Sequence, residues 1–347
     1  MMASNESFAS MDHGARSLGQ VWRTAVVGAG AIGGLIAASL ARAGHEVSVL
    51  ARGQTLAAVR ENGIRTLDGK GRMSAIAVRA SHDAAELGAQ DFVVIALKAH
   101  ALPALAASLH PLVVERTAIV SAMNGLPWWF LDGSNTLAGQ RIEAVDPNGA
   151  VSRALPAERA LGCVVHLSAS TDAPAVVRRG SGNRLIVGAA NAGFAPAAQT
   201  FAQALAAGGF DVKVTDDIRT EIWAKLWGNM NMNPLSALTG STAERLLDDP
   251  FTHALVLRMM DEAEAIGARL GLSMGMSAAA RVAVTRELGA FKTSMLQDME
   301  ANRPLEIDPI LGVFPELGRK LGLPTPFCDA VLGLVRQRAS NSGLYMG

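Results

Sequence analysis

Several features that mark other protein classes are scarce in this chain of 347 residues. It has only two cysteines, Cys163 and Cys328, and no CxxC pair, which excludes a disulfide framework and gives no indication of a bound metal. Its net charge is zero, so the basic footprint of a nucleic-acid-binding protein is missing. No apolar run approaches the roughly 18 residues that cross a membrane. We therefore expect neither nucleic acid nor membrane as a partner.

The N-terminus also lacks a targeting pattern. Residues 1–20 have no apolar core and no cleavage site of a signal peptide, and we expect a disordered tail there. The few cysteines make the cytoplasm the default compartment. Half of the residues are hydrophobic and only 18% are charged, a composition that favours a well-packed globular enzyme. The length is sufficient for two domains with separate cores.

The hydrophobic pattern divides the chain in two. In residues 21–216, short β-rich runs alternate with helical runs, which predicts a Rossmann-type α/β domain with a doubly wound parallel sheet. In residues 217–347, apolar residues recur at helical spacing, which predicts an all-helical C-terminal domain. Residues 131–160 are rich in Gly, Pro and Asn and fit neither pattern.

A glycine-rich turn follows the first predicted strand. It has the spacing G-x-G-x-x-G and opens a helix, which is the context of a dinucleotide site with the pyrophosphate on the helix N-terminus. The second strand, HEVSVLAR, ends without the acid of an NAD site and offers Arg52. A guanidinium there suits the 2′-phosphate of NADP, whereas the alternative is a solvated surface arginine. The residues predicted to line the turn are Gly28, Ala29, Gly30, Ala31, Ile32 and Gly33.

Polar residues interrupt the apolar stretch EIWAKLWGNMNMNPLSALTG. On a helix, Lys225, Asn229 and Asn233 are four residues apart and share one face, while Asn231 points to the opposite side. That face suits a small molecule with a carbonyl and a carboxylate, and Asn231 is expected to make a structural hydrogen bond. Pro234 is predicted to end or bend the helix.

Two further polar residues directly follow predicted strands. They are Lys98 in ALKAH and Asn124 in AMNG, at the sheet edge where ligands collect in such folds. A capping lysine and an ordinary Asn-Gly turn are the alternatives.

Six motifs together resemble the ketopantoate reductase (2-dehydropantoate 2-reductase) family. They are GAGAIGG, VLARG, ALKAH, MNGLPWW, DDIRTEIWAKLWGNMNMNPLSALTG and TSMLQDMEANRPLEIDPILG, in this order, and the resemblance covers nearly everything after Arg23. It implies a substrate cleft between the two domains and the reduction of a 2-oxo acid with NADPH. The first candidate reaction is that of ketopantoate to pantoate in pantothenate and coenzyme A biosynthesis.

The resemblance also implies roles for individual residues. Lys225 would be the catalytic proton donor, since its ammonium can stabilise the charge that hydride transfer places on a ketone oxygen. The implied substrate-binding residues are Lys225, Asn229, Asn233, Ser294 and Asn124. The implied cofactor-binding residues outside the glycine turn are Arg52, Lys98, Asn124, Ser168 and Glu306. Burial would lower the pKa of Lys225 and a nearby Glu306 would raise it, and the sequence leaves the balance open.

Some positions depart from the family pattern. Phe291 and Lys292 stand where a polar asparagine is frequent, TGSTAE lacks another asparagine, and residues 131–160 are longer than the family minimum. A different 2-oxo acid therefore stays an alternative substrate. A non-catalytic NADPH-binding regulator is a third possibility, although a regulator needs no proton donor. The apolar C-terminal helices are compatible with a homodimer.

Overall fold

The computed structural model describes residues 20–133, 136–287 and 289–345. The predicted N-terminal tail lies outside these residues, apart from Gln20.

The first half of the chain is built on one mixed sheet. Its strands are β1 (Arg23–Val27), β2 (Glu46–Leu50), β3 (Ile64–Leu67), β4 (Met73–Ile76), β5 (Arg79–Ser81), β6 (Phe92–Ile95), β7 (Ala118–Ser121), β8 (Ala160–Ala173), β9 (Val176–Ala189) and β10 (Asp211–Val214). Their order across the sheet is β4-β3-β9-β8-β7-β6-β1-β2-β5, and β10 pairs with β9. The central strands are parallel, and among the strand pairs of the described residues only β3–β4 and β8–β9 are antiparallel.

The helices follow the same division of the chain. The first half contributes α1 (Ala31–Arg42), α2 (Gly53–Asn62), α3 (Ala84–Leu87), α4 (Leu102–Leu105) and α5 (Ala195–Ala207). The second half contributes α6 (Ile218–Thr239), α7 (Ala243–Asp248), α8 (Pro250–Arg269), α9 (Ala278–Arg286), α10 (Ser294–Glu300), α11 (Val313–Leu321) and α12 (Pro326–Asn341). The predicted fold class, a Rossmann-type sheet followed by a helical region, is confirmed. None of the described helices combines the length and apolarity needed to cross a membrane.

Both faces of the sheet are buried, because neighbouring residues of a strand point to opposite sides. Val26 of β1 belongs to an apolar cluster with Ile36 of α1 and Phe201 of α5. Val27 belongs to a second cluster that continues without a break to Trp223 of α6. The helical region therefore packs on one face of the sheet and shares its core.

The sequence pattern did not predict the strands β3, β4 and β5 or the helix α5 of the first half. Strands β4 and β5 are only four and three residues long, and β4 is largely exposed, so neither shows an apolar alternation. The helix α5 is mostly alanine, which carries little periodic contrast between its two faces.

Residues 131–160 were left unassigned by the sequence pattern. In the structure, residues 127–133 and 136–159 form turns and short 3₁₀ segments whose apolar side chains are buried. Trp128 donates its indole N–H to the carbonyl of Leu155 (3.0 Å) and Trp129 donates to Ser121 Oγ (3.1 Å). The carboxylate of Asp146 is buried and accepts the backbone N–H of Val151 at 2.7 Å. Side-chain anchors therefore hold this segment in place of regular secondary structure.

Of the two outcomes predicted for Pro234, an end or a bend of the helix, the end is wrong, because α6 continues to Thr239. Proline removes one backbone hydrogen bond. The turns that follow it are nevertheless held, since Leu235 and Ser236 are buried and the Ser236 hydroxyl donates to the carbonyl of Asn233 at 2.9 Å. Tertiary packing thus outweighs the local preference of proline.

Trp129 is the residue whose loss should destabilise the fold most clearly. It is fully buried, bonds Ser121 and lies under the guanidinium of Arg219 at 5.6 Å from the ring centroid. Trp129→Ala should lower the free energy of unfolding by about 3–5 kcal/mol, as measured by urea denaturation. Leu334→Ala, at a 60% exposed side chain, is the control and should change it by less than about 0.5 kcal/mol. Equal effects would show that Trp129 does not anchor its segment as described.

Candidate active site

The turn between β1 and α1 has the geometry of a phosphate cradle. A Cβ at Gly33 would lie 1.9 Å from the carbonyl oxygen of Gly28, so α1 packs directly on the turn. Gly28 has φ +97, and a Cβ there would meet Leu97 at 2.7 Å. A Cβ at Gly30 would meet nothing within 4 Å, so this side of the turn is open, and no side chain caps the N–H groups of α1. Open backbone at a helix N-terminus fits the pyrophosphate of a dinucleotide.

Arg52 lies beside this cradle. It follows the end of β2 and precedes α2, and the neighbouring Leu50 accepts a hydrogen bond from the N–H of Gly28 at 3.1 Å. The guanidinium is exposed and makes neither a hydrogen bond nor an ion pair with the rest of the described chain. It is therefore free to bind an anionic group at the ribose end of a dinucleotide.

Lys225 and Asn124 meet in the fold, although 101 residues separate them. The ammonium of Lys225 donates to Asn124 Oδ1 at 3.0 Å, where α6 lies near the carboxyl end of β7 and the first residues of β8. A cleft at this place is lined by both residues together with Asn229, Cys163 and Ser121. Two of the residues predicted on the polar face of α6 thus line the same cleft as Asn124.

Burial controls the protonation of Lys225 and Glu306. It lowers the pKa of Lys225 to about 8, while Cys163 and Glu306 act in the opposite direction. Burial also raises the pKa of Glu306 above its usual range, against the hydrogen bond from the N–H of Ala99 and the charge of Lys98. The balance that the sequence left open is therefore set by burial of the ammonium.

Glu306 and Lys98 connect the two halves of the chain. Glu306 Oε1 accepts the N–H of Ala99 at 2.9 Å, and Lys98 donates to Asp298 Oδ2 at 2.8 Å and to the carbonyl of Pro304 at 2.7 Å. The ammonium of Lys98 is thus engaged by the helical region. Nothing in the local sequence marked Asp298 as its partner, because the two residues are 200 positions apart.

The loop after Asn124 is fixed from the same side. Leu126 donates its N–H to the carbonyl of Pro309 at 2.9 Å, and a Cβ at Gly125 would lie only 2.4 Å from that oxygen. Pro309 belongs to a π-helical turn, Asp308–Gly312, that begins two residues after Glu306. Such turns within helices are frequent at functional sites. A glycine is required at position 125 because the two backbones touch.

The three asparagines of α6 differ in their hydrogen bonding. Asn231 is 1% exposed and donates to the carbonyl of Trp227 at 3.2 Å, which is a bond within the helix. Asn233 is also buried, and its Nδ2 has no partner in the described part of the protein. A buried amide without a partner is unusual in folded proteins, so Asn233 is the better candidate to donate to a ligand.

Ser294 lies near this end of α6. It is the first residue of α10, and the preceding Thr293 shares a hydrogen bond with Ser236, three residues after Asn233. Ser294 itself is exposed. Its role in substrate binding stays a prediction.

Ser168 is placed elsewhere by the fold. It lies on the exposed part of the β8–β9 ribbon, where its hydroxyl accepts the N–H of Ser181 at 2.8 Å. No contact described for it reaches Lys225 or the glycine turn. The role in cofactor binding that the resemblance gives to Ser168 stays a prediction.

The described residues contain no group of three or more His, Cys, Asp or Glu that could hold a metal ion.

Comparison with known proteins gives a consistent relationship. Residues 24–192 match the family model "Ketopantoate reductase PanE/ApbA", and residues 217–339 match its C-terminal model. The chain is 44% identical to a 2-dehydropantoate 2-reductase of Mesorhizobium japonicum, over 92% of this chain and 98% of the relative. A crystal structure of a candidate ketopantoate reductase from Ralstonia solanacearum MolK2 superposes with a TM-score of 0.90 at 48% identity, covering 94% of this chain and 100% of that one.

A more distant structure shares the fold only. It is D-mandelate dehydrogenase, solved with NADH and anilino(oxo)acetate, with a TM-score of 0.79 at 21% identity over 92% of this chain and 99% of that chain.

The electrostatic coupling of Lys225 and Glu306 can be tested without turnover. The chain has six lysines, so the ¹³Cε signal of Lys225 can be assigned by mutation and titrated by NMR. The wild-type protein should titrate near pH 8. Glu306→Gln should lower this pKa, because the removed carboxylate favours the ammonium. Glu300→Gln is the control, since Glu300 pairs with Lys292 at the surface. An unchanged or raised pKa of Lys225 in Glu306→Gln would contradict the coupling.

Proposed function

The chain belongs to the ketopantoate reductase family, and on this premise we propose that it reduces a 2-oxo acid to the 2-hydroxy acid with NADPH. Ketopantoate is the first candidate substrate, and Lys225 is the proposed proton donor. The observation that carries the proposal is the buried ammonium of Lys225, with a pKa lowered to about 8, next to Asn124. A lysine in this state is still mostly protonated at neutral pH and releases its proton far more readily than an exposed one.

In the proposed reaction, Lys225 supplies the charge and the asparagines of the cleft fix the orientation of the reacting groups. Bound NADPH supplies the hydride. As negative charge grows on the substrate oxygen, the ammonium of Lys225 stabilises it and transfers a proton, which water restores afterwards. Asn229 and Asn233 are neutral, so they orient the substrate without altering the charge that Lys225 experiences. Asn124 holds the lysine in position before the substrate binds.

The identity of the 2-oxo acid depends on the walls of the cleft. The D-mandelate dehydrogenase comparison shows the fold alone and does not identify a substrate for this chain. Phe291 and Lys292 precede α10, where family members frequently have an asparagine, and Phe291 packs against the apolar core. These two residues favour a second candidate function, the reduction of a 2-oxo acid other than ketopantoate. A panel of 2-oxo acids assayed with NADPH decides between the two.

The proton-donor role gives the first kinetic prediction. With the best substrate of the panel, Lys225→Ala should lower kcat about 10²- to 10⁴-fold, the usual cost of removing a general acid. Its affinity for NADPH should change little, since the glycine turn and Arg52 lie in the other half of the chain. Lys225→Arg should rescue poorly, because a guanidinium does not release its proton near neutrality. Lys70→Ala, at an exposed lysine, is the control. Near-normal turnover of Lys225→Ala would exclude Lys225 as the donor and leave bound water or Lys98.

Cofactor choice gives a second prediction. A hydrogen bond to a charged group contributes about 1.5–3 kcal/mol, so Arg52→Ala should weaken NADPH binding about 10- to 100-fold and leave NADH binding nearly unchanged. Both affinities can be measured by titration calorimetry. Arg60→Ala, in the helix α2 that follows Arg52, is the matched control, because Arg60 bonds the carbonyl of Ala80. Equal losses for the two cofactors would show that Arg52 does not recognise the 2′-phosphate.

A further inference from the structure

Arg281 of α9 lies directly against the helix that carries Lys225. A Cβ built on Gly228 would be 2.4 Å from Nη2 of this arginine and 3.0 Å from its Cζ. The guanidinium therefore rests on the backbone of α6 at Gly228. This glycine precedes Asn229 and lies three residues after Lys225, so the guanidinium borders the polar face of the helix.

The charge of Arg281 has no acidic partner among residues 20–133, 136–287 and 289–345. Its one hydrogen bond among the described residues joins Nη1 to Thr285 Oγ1 at 2.9 Å, and no carboxylate of that part of the chain pairs with it. Burial lowers the pKa of the guanidinium, and no acidic group opposes this effect. A guanidinium has five N–H donors, of which Thr285 uses one. A half-buried cation with free donors is suited to bind an anion.

Gly228 provides the space for this arrangement. A glycine inside a helix is less favourable than alanine, because it loses more backbone freedom. Here the missing Cβ leaves the volume that the guanidinium fills. The guanidinium of Arg281 is thus held by its contact with Gly228 and by its hydrogen bond to the hydroxyl of Thr285.

The guanidinium of Arg281 lies in the same region of the structure as Lys225. Desolvation is the largest cause that lowers the pKa of His166 on β8; the charges of Lys225 and Arg281 lower it further, and Glu221 raises it. Lys225 and Arg281 are therefore both close enough to His166 to influence its charge. Gly228, on which the guanidinium rests, is three residues from Lys225, so these two positions are neighbours on the surface of α6.

We propose that Arg281 binds the carboxylate of the 2-oxo acid while Lys225 binds its carbonyl oxygen. The proposal rests on the function proposed above and names the residue that recognises the acid group. Arg281 is then a specificity-determining residue: it excludes neutral ketones and esters, because a bidentate guanidinium–carboxylate pair is lost with them.

The test compares an acid with its ester in the same enzyme preparation. The ratio of kcat/KM for a 2-oxo acid to kcat/KM for its methyl ester is independent of the fraction of folded enzyme. In Arg281→Gln this ratio should fall about 10- to 100-fold, mainly through a higher KM for the acid. Arg286→Gln is the matched control, because Arg286 lies on the same helix and pairs with Asp248. An unchanged ratio in Arg281→Gln would overturn the proposal.

Gly228→Ala provides an independent second variant. The added methyl group displaces the guanidinium, so the acid-to-ester ratio should fall in this variant as well. In the Arg281→Gln background, the same substitution should cause no further fall, since the group it displaces is already gone. Equal additional falls in both backgrounds would mean that Gly228 acts on the cleft without Arg281.

A binding measurement separates this proposal from the proposed function. Oxamate and oxamide differ in the carboxylate, and neither is reduced, so their affinities for the NADPH-bound protein can be measured by titration calorimetry. Wild-type protein should bind oxamate more tightly, and Arg281→Gln should lose this preference. If the panel shows no turnover, the proposed function fails, and the oxamate preference still decides the role of Arg281. Equal binding of the two probes by wild-type protein would overturn that role.

Discussion

The burial of one ammonium group organises the candidate site. Lys225 lies on a helix whose neighbouring side chains, Trp223, Leu226 and Trp227, are almost completely buried, and enclosing its charge lowers its pKa to about 8. In water the same group would keep its proton far above neutral pH. The proposed acid chemistry therefore requires the ammonium to stay enclosed, and Asn124 provides the hydrogen bond that a buried cation needs.

That enclosure is produced by the contact between the sheet and the helical region. Lys98 bonds Asp298, Glu306 accepts the N–H of Ala99, and Gly125 touches the π-helical turn after Glu306. These polar contacts lie around a shared apolar core, so the two halves hold one another in register. A substitution that loosens this contact would expose Lys225 and raise its pKa toward the ordinary value, even if it lies far from the cleft.

The parts of the site carry different amounts of information about substrate. The glycine cradle and the Lys225–Asn124 pair are suited to any nicotinamide-dependent reduction of a carbonyl group. Arg281 adds a charge that distinguishes an acid from a neutral ketone, and Phe291 adds apolar surface near the start of α10. A charge selects by the presence of its counterion, whereas apolar surface selects by shape and only weakly. The class of substrate thus depends on Arg281, and the exact identity of the substrate depends on the walls of the cleft.

The sequence alone determined the features that local chemistry encodes. The alternation of strands and helices, the glycine turn and the phase that places Lys225 and Asn229 on one face follow from spacing between neighbours. Tertiary structure decided the rest, because it depends on residues distant in sequence. The continuation of α6 past Pro234 requires packing that a local rule does not contain. The pairing of Lys98 with Asp298 joins residues 200 positions apart. The pKa of Lys225 depends on how completely the fold excludes water, and only the assembled cleft sets that.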